Sequence, residues 1–104
     1  METEDYVITC RPAEEIIQSA DTFTVLPEGE LILRGRESGD EIRLSGGSKS
    51  LKKLFIDRKI PASRRGTVPV IADAAGVLGV YSIGPNHDRL ASSLPAVQIQ
   101  IKKR

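Results

Sequence analysis

Residues 46–76 read GGSKSLKKLFIDRKIPASRRGTVPVIADAAG, and the fold class turns on this stretch. Ser45-Gly46-Gly47 is a breaker, and Ser48 or Ser50 caps a helix that runs to about Arg58. At about 100° per residue, Leu51, Leu54 and Phe55 share one face of that helix. Lys49, Lys52 and Lys53 fall on the other side. Ile60-Pro61 stops the helix, because the residue before a proline avoids helical backbone. Thr67–Ala72 is then a short apolar strand, and Pro69 places it at an edge or a strand start. Asp73-Ala74-Ala75-Gly76 turns the chain, and Val77–Ile83 returns as the second strand of a hairpin.

Outward from this segment the pattern is one of short strands. Tyr6–Cys10, Asp21–Leu26, Glu30–Arg36 and Glu41–Leu44 read as strands separated by Pro and Gly turns, so the first 44 residues look like a meander. Pro12–Ile17 either opens a short helix, with acids at its positive end, or leads as a loop into the next strand. Gly84–Asp88 is a loop, and Val97–Ile101 alternates as a final strand before the basic tail Lys102-Lys103-Arg104. Many strands and one helix give an α+β class of short, mostly antiparallel strands with one main amphipathic helix. The 104 residues suit a single domain, 1–104. With two Phe, two Tyr and no Trp, the core must be filled by Val, Ile and Leu.

The net charge of +1 conceals an asymmetry. Residues 1–41 carry eleven acids and three bases, and residues 42–104 carry twelve bases and three acids. Eight bases and a single acid, Asp57, lie from Arg43 to Arg65. Such a block suits nucleic acid or another polyanion. A solvated face that pairs with the acidic N-terminal part accounts for the same charges, and charge alone leaves both readings open. The chain has no apolar run of membrane-spanning length and no secretory leader pattern, so no membrane partner and a cytoplasmic location are expected. Cys10 has no cysteine to pair with and no metal-ligand neighbour, which leaves a lone thiol in a strand.

Within the basic block, Lys49, Lys52, Lys53, Lys59 and Arg65, followed by Arg36, Arg43 and Arg64, are the candidate phosphate contacts. Arg presents a planar fork to phosphate oxygens and Lys a mobile charge. Arg58 lies close to the apolar helix face and is the weaker candidate. Few aromatics are available for base stacking, so a duplex held by shape and backbone fits better than a single strand. Ser45–Ser50 resembles the Ser-Gly-Gly-x-Asp-Ser loop of ATP pyrophosphatases, but Lys49 replaces the acid that would help hold magnesium, which makes a nucleotide-using enzyme the weakest option. His87-Asp88 has no nucleophile or second base arranged around it, and no catalytic or metal set is expected.

Residues from about 34 to 84 resemble the C-terminal domain of the tRNA(Ile)-lysidine synthases. Arg36 and Gly39-Asp40 look like that family's Arg and Gly-Asp turn, and Gly47–Phe55 like its Gly-x-Lys-x-Leu-Lys-x-x-Phe helix. Asp57, Lys59, Ile60, Pro61 and Arg65 look like its Asp-x-Lys-(Ile/Val)-Pro-x-x-x-Arg corner, and Val68-Pro69-Val70, Asp73 and Gly76 like the hairpin that follows. Glu41 stands where the family often has Arg, and Gly79–Gly84 replaces its Trp-Val-Pro-Gly return.

The resemblance implies a β/β/α layered fold and a domain that binds tRNA, including the acceptor stem, to select the substrate. The parent enzyme is an ATP-dependent ligase that joins lysine to the wobble cytidine of an isoleucine tRNA. Its N-terminal catalytic domain, with ATP and magnesium, is absent from this chain. The chain is therefore expected to be a non-catalytic fragment with no cofactor of its own, and tRNA and the missing catalytic domain are its expected partners. A protein-interaction domain whose basic face meets an acidic partner is the alternative.

Overall fold

The hairpin of residues 70–80 is the spine of the structure. A computed structural model describes residues 1–104. In it, Val70–Asp73 (β6) pairs antiparallel with Gly76–Val80 (β7) around an Ala74-Ala75 turn. Every residue of β6 is buried, as is β7 from Val77 onward. Strands covered on both faces read as near-continuous apolar runs, which is what Val70–Ala72 and Val77–Val80 show. Ile32–Arg34 (β3) adds to β6, and the two-residue strand Gly84–Pro85 (β8) adds to β7, giving a four-stranded sheet in the order β3-β6-β7-β8. Pro69 directly precedes β6, so its missing N–H removes no ladder bond from this central strand.

Two layers cover this sheet. On one face, Val70, Val77 and Val80 pack with Leu51, Leu54 and Phe55 of the helix Leu51–Asp57 (α1), and with Ile42 of the strand Glu41–Leu44 (β4). On the other, Ile71 and Leu78 pack with Tyr6, Ile8, Phe23, Val25, Ile99 and Ile101. The latter set comes from a three-stranded sheet of Tyr6–Pro12 (β1), Thr22–Val25 (β2) and Val97–Lys103 (β9), in the order β1-β9-β2. The expected β/β/α layering is thus present. No helix is long and apolar enough to cross a membrane.

Two local expectations fail, and an open one is decided. The first 44 residues are not a meander: β1 and β2 each pair with β9, β3 joins the other sheet, and β4 pairs with Gly47–Ser50 (β5). Alternation marks a strand but not its neighbour, and the apolar faces of β1 and β2 are covered only when the C-terminal strand lies between them. The stretch Ser45-Gly46-Gly47 does not run straight into the helix. Ser45-Gly46 is the turn of the β4–β5 hairpin, and the cap is Ser50, whose hydroxyl accepts from the Lys53 amide at 3.1 Å. Of the two readings of Pro12–Ile17 the loop is present: Pro12 ends β1 and no helix precedes β2.

The two sheets meet where Phe23 lies over Gly79. A Cβ at position 79 would fall 2.4 Å from Phe23 Cζ, and Phe23 itself is fully buried. Buried polar contacts fix the far end of the spine. Asp73 accepts from the amides of Glu28 (2.6 Å) and Ala75 (2.9 Å) and from the Arg89 guanidinium. Burial pushes the Asp73 carboxyl up, but these donors outweigh it and hold its pKa at about 2.

Gly79→Ala is expected to destabilise the chain by about 1–3 kcal/mol, the usual cost of overpacking a core. Combined with Phe23→Leu it should cost less than the two changes summed, and urea unfolding of the four variants measures the coupling. Asp73 has its lower pKa in the folded state, so its stabilisation is present above the ordinary 3.8 and is lost as pH falls through about 2. That shift corresponds to about 2 kcal/mol. Asp73→Asn should therefore lower stability at pH 7 by at least about this amount and flatten its acid dependence, as read from urea midpoints across an acid pH series.

Candidate nucleic-acid interface

Both ends of α1 are fixed by specific bonds. At its start the Leu51 amide donates to the Asp40 carbonyl at 2.9 Å, so the 36–40 turn sits against the helix N-terminus. At its end the Lys59 amide donates to Ile56 O (2.9 Å) and the Ile60 amide to Phe55 O (3.0 Å). This is a Schellman closure, with Ile60 packed against the cluster that contains Phe55. The closing residue needs left-handed backbone, a place usually taken by glycine, yet here it is Lys59 at φ 58°. Lys52 and Lys53 stand exposed on the first turn, and Ile56, 49% exposed, lies one turn beyond Lys52.

The corner after the helix is equally ordered. Arg65 is half-buried and its Nε donates to the Ile60 carbonyl at 2.9 Å. The Arg64 amide donates to Pro61 O, and Arg64 O accepts from both the amide and the hydroxyl of Thr67. Arg58 Nη1 donates to Ser82 O at 3.1 Å and ties the corner to the residues after β7. Gly35 meets this corner closely: a Cβ there would fall 2.6 Å from Gly66 O. That approach brings the backbone bearing Arg36 beside the backbone bearing Arg65.

The candidate residues therefore fall into three places. Lys52 and Lys53 share the exposed side of α1, but Lys49 does not, since it lies in β5 opposite Ile42. Lys59, Arg64 and Arg65 occupy the corner, with Arg36 near them. Arg43 stands apart, its Nε 3.0 Å from Asp88 Oδ1. In the 36–40 turn it is Arg34, not Arg36, that grips Asp40, with two bonds of 2.8 and 3.1 Å. Burial raises the Asp40 pKa, and the Arg34 and Glu37 donors, with the charge of Arg36, bring it below the ordinary value. The helix start is thus braced by an arginine the sequence did not single out; only its register in β3, one residue from a turn, hinted at it.

The partners of these cations separate the two readings of the charge. Of the eight bases from Arg43 to Arg65, only Arg43 has a carboxylate within 4.0 Å. The other ion pairs join Arg34 to Glu37 and Asp40, Arg89 to Asp73, and Arg104 to Glu2. Lys49, Lys52, Lys53, Arg58, Lys59, Arg64 and Arg65 carry no such partner, so the acidic N-terminal part does not neutralise the block by direct pairing. No group of three or more His, Cys, Asp or Glu residues converges anywhere in the molecule, and His87 is exposed in a short 3-10 turn.

Known proteins are similar to this chain in sequence and fold. The model of the TilS substrate C-terminal domain family matches residues 31–95. The tRNA(Ile)-lysidine synthase of Clostridioides difficile (strain 630) is 37% identical over 78 residues, which cover 73% of this chain and 17% of that protein. The tRNA(Ile)-lysidine synthase of Bacillus licheniformis is 40% identical over 65 residues, covering 58% of this chain and 14% of that protein. This chain thus spans less than a fifth of either relative. A crystal structure of a TilS C-terminal domain superposes with a TM-score of 0.79 at 26% identity, covering 95% of this chain and 85% of that one. With more than half its residues inside the family model and its fold shared almost end to end, the chain belongs to the TilS substrate C-terminal domain family.

Proposed function

We propose that this chain is the tRNA-binding, substrate-selecting domain of a tRNA(Ile)-lysidine synthase. The observation that carries the reading is the run of seven cations from Lys49 to Arg65 without a carboxylate partner, carried by β5, by α1 and by the corner after it, where backbone bonds close the helix end. Cations fixed in place but unpaired in the free protein favour an external polyanion, and releasing its counterions drives association. Lys49, Lys52, Lys53, Lys59 and Arg65, then Arg36, Arg43 and Arg64, are the phosphate contacts in this reading.

The domain docks the acceptor-stem region of the tRNA, so that the distant wobble cytidine reaches the catalytic domain of the parent ligase. ATP and magnesium belong to that domain, and the reaction takes place in the cytoplasm. The chain itself then contributes position and affinity, not chemistry. The Ser45-Gly46 turn supports no nucleotide-using alternative, because β5 separates it from the helix start.

Combined Lys52→Ala, Lys53→Ala and Arg65→Ala should weaken binding to unmodified isoleucine tRNA. The slope of log affinity against log salt should become less steep by roughly 0.7–0.9 for each phosphate no longer neutralised. Filter binding at several salt concentrations reads this, and an unchanged slope would remove the assignment. Lys59→Gly separates fold from function at one position. Relieving the left-handed lysine should raise stability by on the order of 0.5–1 kcal/mol. If Lys59 meets a phosphate, the same change lowers tRNA affinity, whereas raised stability with unchanged affinity would strike it from the phosphate-binding set.

A further inference from the structure

A groove of about 560 Å³ opens where the corner, the start of β1 and the residues after β7 meet. Arg58, Lys59, Arg64 and Lys103 line it, against a single carboxylate, Asp5. None of those four cations is ion-paired with a carboxylate of this chain. Lys103 belongs to the C-terminal strand and reaches the groove because it pairs with Tyr6 across β1 and β9.

Two further features converge on the same place. Tyr6 and Tyr81 both line the groove, their rings edge to face with centroids 4.9 Å apart. The molecule has only two non-glycine residues with left-handed backbone, Lys59 at φ 58° and Ser82 at φ 65°, and both line it too. Unfavourable backbone of this kind persists where the surrounding structure imposes it, and it gathers at ligand clamps.

We infer that this groove holds one unpaired nucleotide of the bound RNA, its phosphate on Arg64 and Lys103 and its base against Tyr81. The size and the chemistry both point to this occupant. The volume lies within the range of sites that hold a small ligand. A cationic rim over an aromatic wall is the arrangement that holds a single-stranded nucleotide. The inference rests on the RNA-binding reading above and adds to it a site for a base outside the duplex.

The chain has no Trp, and its only two tyrosines are those in the groove, so tyrosine emission reports occupancy directly. The probes are a blunt RNA hairpin, the same hairpin with a single-stranded 3′ tail, and adenosine monophosphate. The tail should raise affinity by about fivefold or more, the gain expected of one base–aromatic contact, and should change tyrosine emission after correction for absorption. Lys103→Ala should abolish that gain and leave blunt-hairpin affinity unchanged. Lys52→Ala with Lys53→Ala should weaken both hairpins alike. Blunt and tailed hairpins bound equally, with emission unchanged, would overturn the groove assignment and leave the RNA reading intact. Saturable binding of the mononucleotide with no tail preference would overturn it in favour of a free nucleotide. Binding of neither hairpin at low salt would overturn the RNA reading and this inference with it.

Discussion

The absence of a side chain at position 79 is the constraint on which the architecture depends. Phe23 of the three-stranded sheet occupies the space a Cβ there would need, and this lets one sheet settle onto the other. Once the sheets are in contact, β6 and β7 are covered on both sides, which is why their sequence is almost wholly apolar. The same packing sets Tyr81 between the two cores, touching each of them. It also brings the ends of β1 and β9 beside the corner that follows the helix. The seam between the sheets and the surface that carries the charge are therefore products of one packing arrangement.

Arginine serves two purposes in this chain, and the carboxylates divide them. Arg34 and Arg89 are largely buried and each meets a buried or nearly buried acid, Asp40 and Asp73. Those pairs brace the helix start and the end of the central hairpin, where an unmatched charge would be costly. Arg89 Nη1 is itself buried without a partner, so that guanidinium depends on Asp73 all the more. Arg58, Arg64 and Arg65 instead donate to backbone carbonyls or stand free. A guanidinium bonded to a carbonyl keeps its charge, so the corner gains rigidity without losing its field.

The sequence made legible whatever is decided within a few residues. The apolar face Leu51, Leu54 and Phe55, the end of the helix near Arg58 and the turn at Asp73–Gly76 follow from local periodicity and backbone preference and are present, although it is the left-handed Lys59, ahead of Ile60-Pro61, that closes the helix. What stayed hidden depends on distant partners. Nothing near Tyr6 or Thr22 announces that residues 97–103 lie between them. Gly47–Ser50 has polar, glycine-led composition and becomes a strand only because Glu41–Leu44 pairs with it. That pairing moved Lys49 off the helix. Arg36 and Arg34 both lie within reach of Asp40 in sequence, and only the strand register shows which side chain turns toward it. Lys103 read as part of a basic tail until its place opposite Tyr6 set it beside the corner.

Charge alone is a poor selector. Contacts to phosphate are the same for every tRNA, so in the proposed reading the unpaired cations would provide affinity and orientation but little identity. On the proposed tRNA-binding reading, selection has to come from where the cations stand relative to one another. Here the fold supplies fixed separations: Lys52 and Lys53 ride on a capped helix, while Lys59, Arg64 and Arg65 ride on a corner closed by backbone bonds and by the Gly35–Gly66 approach. A polyanion that matches both patches at once gains from each without the second paying again for association. One that matches a single patch keeps only that part. In the proposed reading, rigid spacing between otherwise unselective cations would thus turn a general attraction for phosphate into a preference for one shape.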